Sequence, residues 1–289
     1  MIDSSELIIN PDGSIFHLHL RPDQLSQNII LCGDPGRVDI IAEFLNKKEF
    51  KIQNREFVSI TGEYNHKRIT ILSTGIGTDN IDIVLNELDA LANIDFETRE
   101  IKKEKTSLNI IRIGTCGGLQ KNLETNDYII SKKAIGFDGL INFYQGREKV
   151  SDKEIENKFK EYVKWNSLLT TPYVVNCSSD LYNKINSDEF HSGITISAPG
   201  FYGPQGRILR LNIIDPDINK KIEDFSFKGE KITNYEMECS AIYGLSALLG
   251  HNALTICMII ANRLKKKANT NYHQRMKDMI KLILDRLTH

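Results

Sequence analysis

Short apolar runs rich in isoleucine and valine alternate along this chain with segments whose apolar residues recur at helical spacing. The apolar runs predict six mostly buried strands, at residues 28–32, 68–72, 108–113, 127–130, 193–197 and 253–260. The helical spacing predicts helices at residues 38–45, 81–91, 238–249 and 272–287. Such alternation is typical of an α/β domain with a largely parallel or mixed sheet.

Glycine-rich segments follow three of the predicted strands and begin at Gly33, Gly75 and Gly114. Ligands of open α/β sheets bind beyond the carboxyl ends of the strands, so these segments are the expected place for a site. Two charged stretches, at residues 97–105 and 265–267, are predicted to be solvated. The second is close enough to the expected site to act as a mobile cover.

Composition narrows the class of protein. The 289 residues contain no linker and are interpreted as a single domain, 1–289. A hydrophobic content of 40% and a formal net charge of -1 predict a globular protein without the basic excess that nucleic-acid binding needs. Residues 1–10 do not resemble a signal peptide and no segment is long enough to span a bilayer, so we expect a cytoplasmic protein with no membrane partner.

The five cysteines are odd in number and widely spaced, without a Cys-x-x-Cys pair. This argues against a disulfide framework and against a zinc site. We expect all five to be reduced, small buried residues. No metal site is predicted.

Three arginines lie where they could bind an anion. Arg37 follows the Gly33 turn, Arg112 precedes Gly114, and Arg55 lies in a separate polar segment. Glycine lets backbone N–H groups approach an anion, and guanidinium groups bind its oxygens in pairs. Each arginine alone is more often a surface charge, except Arg112, because an unpaired guanidinium at the end of a buried strand would be costly.

Residues 201–207, Phe-Tyr-Gly-Pro-Gln-Gly-Arg, combine aromatic, amide and guanidinium groups in one loop. Gln205 offers a donor and an acceptor side by side, Arg207 adds fixed donors, and Phe201 can cover a ring. Together they suit the carbonyl, N–H, carbonyl edge of uracil. The alternative is a surface turn, since Gly-Pro and Gln-Gly are ordinary turn residues.

Glu236 and Glu238 flank Met237 just before a predicted helix. One carboxylate could accept hydrogen bonds from two vicinal ribose hydroxyls while Met237 packs against the sugar. The alternative is that acidic residues simply favour a helix N-terminus. A metal site would need more ligands than this segment offers.

These segments resemble the nucleoside phosphorylase-I family over nearly the whole chain. The matching residues, in family order and approximate spacing, are 16–18, 33–37, 55–57, 73–77, 112–115, 201–207 and 236–238. Within that family, Gln205 and Arg207 are the markers for uracil rather than purine.

The resemblance implies a role for each matching residue. Phosphate would be bound by Gly33, Arg37, Arg112 and Thr115, with Arg55 from a neighbouring subunit. Uracil would be bound by Gln205 and Arg207, covered by Phe201, and ribose by Met237 and Glu238 with Glu236 nearby and His17 of the neighbour at the 5'-hydroxyl. Arg112, Gln205 and Arg207 would carry the catalysis.

The implied fold is a three-layer α/β/α sandwich with a mixed, partly barrel-like central sheet. The implied assembly is a homo-oligomer with shared active sites, a dimer or a trimer of dimers. No cofactor is expected, because inorganic phosphate is a substrate. Asn80 replaces a serine that helps some relatives to bind a monovalent cation at the interface, which leaves that ion open.

The implied reaction is reversible phosphorolysis of uridine to uracil and ribose 1-phosphate. Two enzymes of the same fold are alternatives. A purine phosphorylase should carry an acid soon after the ribose-binding carboxylate, and residues 241–249 contain none. A nucleosidase would not need the arginines. A non-catalytic nucleoside-binding protein would have a damaged anion site, whereas every expected phosphate residue is present.

Overall fold

The computed structural model describes all 289 residues and is organised around a twelve-stranded sheet, with a separate two-stranded hairpin. The strands are β1 (Asn28–Cys32), β2 (Lys47–Asn54), β3 (Phe57–Tyr64), β4 (Lys67–Ser73), β5 (Ile94–Asp95), β6 (Glu100–Ile101), β7 (Asn109–Gly118), β8 (Tyr128–Gly136), β9 (Tyr173–Asn176), β10 (Phe190–Ser197), β11 (Ser226–Phe227), β12 (Glu230–Glu236), β13 (Asn252–Asn262) and β14 (Lys267–Ala268). The helices are α1 (Pro35–Ala42), α2 (Thr78–Asn93), α3 (Arg147–Val150), α4 (Lys153–Val163), α5 (Ser179–Ile185), α6 (Ile218–Asp224), α7 (Cys239–Leu249) and α8 (His273–Thr288). None of these helices is both long enough and apolar enough to cross a membrane.

The sequence prediction of strands and helices is confirmed for every element it named. All six predicted strands are found, as β1, β4, β7, β8, β10 and β13, and the four predicted helices are α1, α2, α7 and α8. One local prediction is wrong. The segment from Gly114 to Gly118 is the second half of β7, not a turn after it.

Gly114 is required because of a close approach within β7. A Cβ atom there would collide with the Arg112 guanidinium and would lie 2.9 Å from the Cys257 sulfur. The absence of a side chain therefore lets Arg112 lie across the strand.

Side chains of β1 alternate between two hydrophobic layers, as expected for a strand buried on both faces. Ile30 belongs to the cluster formed with α1, α5 and α8, whereas Ile29 belongs to the cluster formed with α2 and α7. Because β1 is parallel to both β4 and β7, the centre of the sheet is a parallel core between two helical layers. This confirms the predicted three-layer sandwich with a mixed sheet.

Five strands close on themselves at one side of the sheet, in the order β7, β13, β8, β10, β12 and back to β7. The closing pair is antiparallel, with Asn234 opposite Gly118 and Tyr235 opposite Gly117. The chain that leaves β12 therefore runs back along β7 towards Thr115 and Arg112. This closure brings two distant carboxylates, Glu236 and Glu238, to the middle of β7.

The two charged stretches are exposed for most of their length. Residues 97–105 form the turn and flank of the β5–β6 hairpin. Lys266 and Lys267 are exposed, while Lys265 forms an ion pair with Glu124. The predicted solvation of both stretches is thus confirmed, with one lysine anchored.

Candidate active site

A cavity of about 710 Å³ opens where β1, α1, α2, β7 and β12 meet. It is lined by ten of the twelve predicted site residues: Gly33, Arg37, Arg112, Thr115, Phe201, Gln205, Arg207, Glu236, Met237 and Glu238. The other two, His17 and Arg55, lie outside it. These ten residues come from four separate segments of the chain and meet in one pocket.

Arg112 forms ion pairs with two carboxylates, those of Glu236 and Glu238. We call these three residues the carboxylate–arginine network. The Nη1 of Arg112 lies 3.2 Å from Glu236 Oε2, and its Nη2 donates to Glu238 Oε2. All three side chains are at most 5% exposed. The buried Nε–H of Arg112 has no hydrogen-bond partner in the protein. One donor of this guanidinium thus remains for an anion.

Arg37 is the second buried cation of the cavity. It is carried by the first turn of α1, which Asp34 begins by accepting a hydrogen bond from the Gly36 N–H at 2.9 Å. The only hydrogen bond of its side chain to the protein is a long one, 3.4 Å from Nη1 to the Ile113 carbonyl. Arg37 is therefore held in place while most of its donors stay free.

The two carboxylates of the network have different surroundings. Glu236 accepts hydrogen bonds from the N–H groups of Glu238 and Cys239 and from Ser197 Oγ at 2.5 Å. Those backbone groups begin α7, so Glu236 caps this helix. Burial raises the pKa of Glu236 to about 7, although Arg112 acts in the opposite direction.

Glu238 has fewer partners. Its Oε1 accepts from the Gly77 N–H at 2.8 Å, and its Oε2 accepts from Arg112. Half-buried Met237 lies beside it in the cavity wall. Both interpretations of the acidic pair therefore apply, one to each residue: Glu236 caps the helix, and Glu238 is the carboxylate with capacity for a ligand.

The segment of residues 201–207, which we call the base loop, contains a short 3₁₀ turn, Gly203–Gln205. Arg207 lies over the Phe201 ring, with its guanidinium carbon 3.8 Å from the centroid. Arg207 also donates to Gln205 Oε1 at 2.5 Å. Arg207 thus covers one face of the Phe201 ring, although the residue remains 51% exposed.

Arg263 supports the base loop and was missed by the sequence prediction. Its guanidinium donates to the carbonyls of Gln205 and Gly206, and Asn219 Nδ2 donates to the same two carbonyls at 3.3 and 3.2 Å. Burial lowers the pKa of Arg263, and burial together with Arg263 lowers that of Arg207. The sequence feature that could have identified Arg263 is a cation at the end of a buried strand, the same feature that identified Arg112.

Two other lining residues are informative. The Tyr235 hydroxyl is buried without a hydrogen-bond partner, and burial raises its pKa. Burial also raises the pKa of the Cys116 thiol well above its usual range, which makes it a weak nucleophile. All five cysteines are free thiols, and only Cys177 is not fully buried.

His17 and Arg55 lie together at the surface with Phe16, and we call these three residues the edge cluster. Arg55 occupies the tip of the β2–β3 hairpin, where its guanidinium carbon is 6.0 Å from the Phe16 ring centroid. Asn54 Nδ2 donates to the His17 carbonyl at 2.8 Å. The next residue, Glu56, lines the cavity. The edge cluster therefore borders the cavity without facing into it.

Comparison with known proteins places this geometry in context. Residues 28–288 match the family model of the phosphorylase superfamily. A uridine phosphorylase from Thermococcus kodakarensis is 28% identical over 260 residues, 90% of this chain and 82% of that protein. A DeoD-type purine nucleoside phosphorylase from Bacillus cereus is 26% identical over 279 residues, 93% and 97% of the two chains. A solved nucleoside phosphorylase from Trypanosoma brucei, described as showing uridine phosphorylase activity, is 30% identical with a TM-score of 0.88, covering 97% of this chain and 99% of its own.

Proposed function

The chain belongs to the phosphorylase superfamily and is an enzyme of the pentosyltransferase class, and we propose that it catalyses the reversible phosphorolysis of uridine to uracil and ribose 1-phosphate. The observation that carries the proposal is the presence, in one cavity, of the Gln205–Arg207 pair and the buried Arg37 and Arg112. The first pair matches the edge of uracil, and the second pair matches an anion.

In the proposed reaction a phosphate oxygen attacks the anomeric carbon while the bond from that carbon to N1 of uracil breaks. Arg37, the free Nε–H of Arg112, Thr115 and the Gly33 backbone hold the phosphate. The sugar carries positive charge in the transition state, which the phosphate stabilises. Arg207 and Gln205 stabilise the negative charge on the departing uracil, which then takes a proton from solvent. Catalysis is therefore mainly positioning and electrostatic stabilisation.

The ion pair between Arg112 and Glu238 would connect the phosphate and ribose subsites. When a phosphate oxygen accepts from the Arg112 Nε–H, it draws the guanidinium towards itself, and the hydrogen bond from Nη2 to Glu238 Oε2 weakens. That oxygen is then available to a ribose hydroxyl, while the Gly77 N–H still holds the other oxygen. Phosphate binding would thus prepare the carboxylate for the sugar.

The assembly that we propose is a homo-oligomer, at least a dimer, with shared active sites. The support is the edge cluster, whose His17 and Arg55 carry site chemistry but lie beside the cavity rather than in it. A two-fold arrangement would exchange these residues between neighbouring cavities. We further propose that the enzyme works in pyrimidine salvage in the cytoplasm, where its five free thiols would stay reduced.

The test of the activity is uracil release from uridine with and without inorganic phosphate, with inosine in parallel. Phosphate-dependent release from uridine alone is the expected result. Release without phosphate would indicate a nucleosidase, and cleavage of inosine would contradict the roles of Gln205 and Arg207. No turnover of either nucleoside would favour the alternative of a non-catalytic nucleoside-binding protein.

The test of the shared site is subunit complementation. Arg55→Ala damages the neighbour's site and Arg207→Ala damages its own, so a hybrid dimer has one intact site. Co-expression of the two variants should therefore recover about a quarter of wild-type activity, since about half of randomly formed dimers are hybrids. The matched control pairs Arg207→Ala with Arg37→Ala, which share no intact site. Recovery in neither mixture would show that Arg55 does not act across an interface.

A further inference from the structure

Glu87 of α2 contacts both the backbone and the ring of His17, which lies 70 residues earlier in the chain. Its Oε1 lies 2.6 Å from His17 Nδ1 and 3.1 Å from the His17 backbone N–H. Its Oε2 accepts from the His17 N–H at 3.1 Å and from the Leu18 N–H at 2.9 Å. The side chains of Glu87 and His17 are 13% and 26% exposed. One carboxylate thus fixes both the backbone and the ring of His17.

These contacts decide which ring nitrogen carries the proton. Two backbone N–H groups donate to Glu87, and both of its oxygens act as acceptors, as an ionised carboxylate does. The short contact from Nδ1 to Oε1 then requires the hydrogen to be on Nδ1. In a neutral imidazole with its proton on Nδ1, the other nitrogen, Nε2, is an acceptor.

We propose that Glu87 is a positioning residue that holds His17 as the Nδ1–H tautomer, so that Nε2 accepts a hydrogen bond from the 5'-hydroxyl of the nucleoside. The proposal rests on the proposed function, in which His17 meets that hydroxyl in the neighbouring site. It adds a preference for the substrate: a sugar with a 5'-hydroxyl can donate a hydrogen bond to Nε2. Nucleosides without a 5'-hydroxyl leave this nitrogen without a partner.

A second carboxylate of α2, Asp89, is paired with His251 and serves as an internal reference, because its contacts favour the opposite tautomer. The ring of His251 accepts a hydrogen bond at Nδ1 from the Leu108 N–H, at 3.2 Å. Its proton must therefore be on Nε2, which lies 3.2 Å from Asp89 Oδ1. The two carboxylate–histidine pairs of α2 should hold opposite tautomers in one molecule.

The first test is spectroscopic and needs no substrate. Long-range ¹H–¹⁵N spectra of the wild-type protein at about pH 9, above the usual range of imidazole titration, report the tautomer of each ring. His17→Gln and His251→Gln assign the two signals among the seven histidines. We expect Nδ1–H for His17 and Nε2–H for His251. An Nε2–H tautomer or a doubly protonated ring at His17 would overturn the proposal.

The second test compares uridine with 5'-deoxyuridine. Wild-type kcat/KM should favour uridine by about tenfold, the usual value of one hydrogen bond to a well-placed group. In Glu87→Gln the carboxylate that accepts from two backbone N–H groups and from Nδ1–H is replaced by an amide with a single acceptor oxygen, so the His17 ring is no longer held in place and this preference should fall towards one. The matched control is Asp89→Asn, which alters the other pair on α2 and should keep the wild-type preference.

The two tests separate this inference from the proposed function. If uridine is not cleaved at all, the proposed function fails, and the tautomer of His17 still decides the structural part of the inference. If uridine is cleaved but Glu87→Gln keeps the tenfold preference with a wild-type melting temperature, the positioning role is wrong. Should Glu87→Gln fail to fold, the wild-type spectrum alone decides.

Discussion

The carboxylate–arginine network and the base loop form two parts of one cavity but are built differently. Arg112, Glu236 and Glu238 are buried and bond mainly to each other and to the start of α7. In the base loop, Phe201 is 51% exposed, and the loop depends on two carbonyls held by Arg263 and Asn219. The first region is coupled to folding, whereas the second can change its contacts at little cost in stability. Such a division would let one scaffold keep its sugar–phosphate chemistry while the base changes.

The substitution with the largest expected effect is Arg112→Ala, which tests whether the carboxylate–arginine network is coupled to folding. It removes the proposed phosphate donor and leaves two buried carboxylates without their cation. We expect the free energy of unfolding to fall by about 3–5 kcal/mol, the usual cost of breaking a buried pair, together with loss of turnover. Urea denaturation and uracil release measure the two effects.

The matched control for Arg112 is Arg37→Ala. Arg37 has one long hydrogen bond to the protein, so its removal should reduce activity but leave stability nearly unchanged. If Arg112→Ala were as stable as Arg37→Ala, the network would not be coupled to folding.

Arg207→Ala tests the other half of the comparison. Loss of a donor directed at developing charge typically lowers the rate by about a hundredfold or more, so kcat/KM for uridine should fall by that amount. Arg207 is only half-buried and bonds only within its own loop, so the melting temperature should hardly change. The control is exposed Arg210→Ala, three residues further along. Near-normal turnover of Arg207→Ala would remove its proposed role.

The buried carboxyl of Glu236 predicts a pH dependence of stability. Its pKa is raised from 4.5 to about 7, so between these values the folded protein binds a proton that the unfolded chain has lost. This contribution to stability is complete below pH 4.5 and is lost as the pH rises through 7. Its slope is at most about 1.4 kcal/mol per pH unit. The free energy of unfolding, followed by urea titration across this range, should therefore decline with pH.

Glu236→Gln should flatten that decline, because an amide does not titrate. Carboxyls whose pKa is lowered, such as Asp285, act with the opposite sign and at lower pH, so they do not mimic the effect. An equal decline in wild type and Glu236→Gln would show that Glu236 does not titrate in this range.

The strands that the sequence predicted are those buried on both faces, which read as continuous apolar runs. Among the missed strands, β2 is mostly exposed and β12 buries Thr233 and Asn234, whereas β3 and β9 are almost entirely buried and were overlooked. Asn234 accepts from Thr195 and Thr233, so its burial depends on partners that only the fold provides. The closure of β12 on β7, which forms the site, could not be derived from apolar pattern.

The candidate site was predicted to a similar extent and for related reasons. Arg112 stood out because a guanidinium at the end of a buried strand needs a partner. Arg263 meets the same condition, but the three lysines after it gave that segment the pattern of a solvated loop. Glu236 and Glu238 could not be distinguished before the structure, because the choice between cap and ligand depends on which backbone N–H groups each one reaches.

Arg263→Gln has the smallest expected effect on activity and tests how the base loop is supported. The change removes a charged donor from the carbonyls of Gln205 and Gly206, while Asn219 still binds both. We expect kcat/KM for uridine to fall by about tenfold, since bonds from charged donors are stronger than neutral ones and part of the support remains. Asn219→Ala should cost less, and the double variant should cost more than the sum, because the two donors share their acceptors. If Asn219→Ala lowered kcat/KM more than Arg263→Gln, the loop would be held mainly by the neutral amide. The support of the base loop would then come mainly from Asn219 of α6 and not from the charged Arg263.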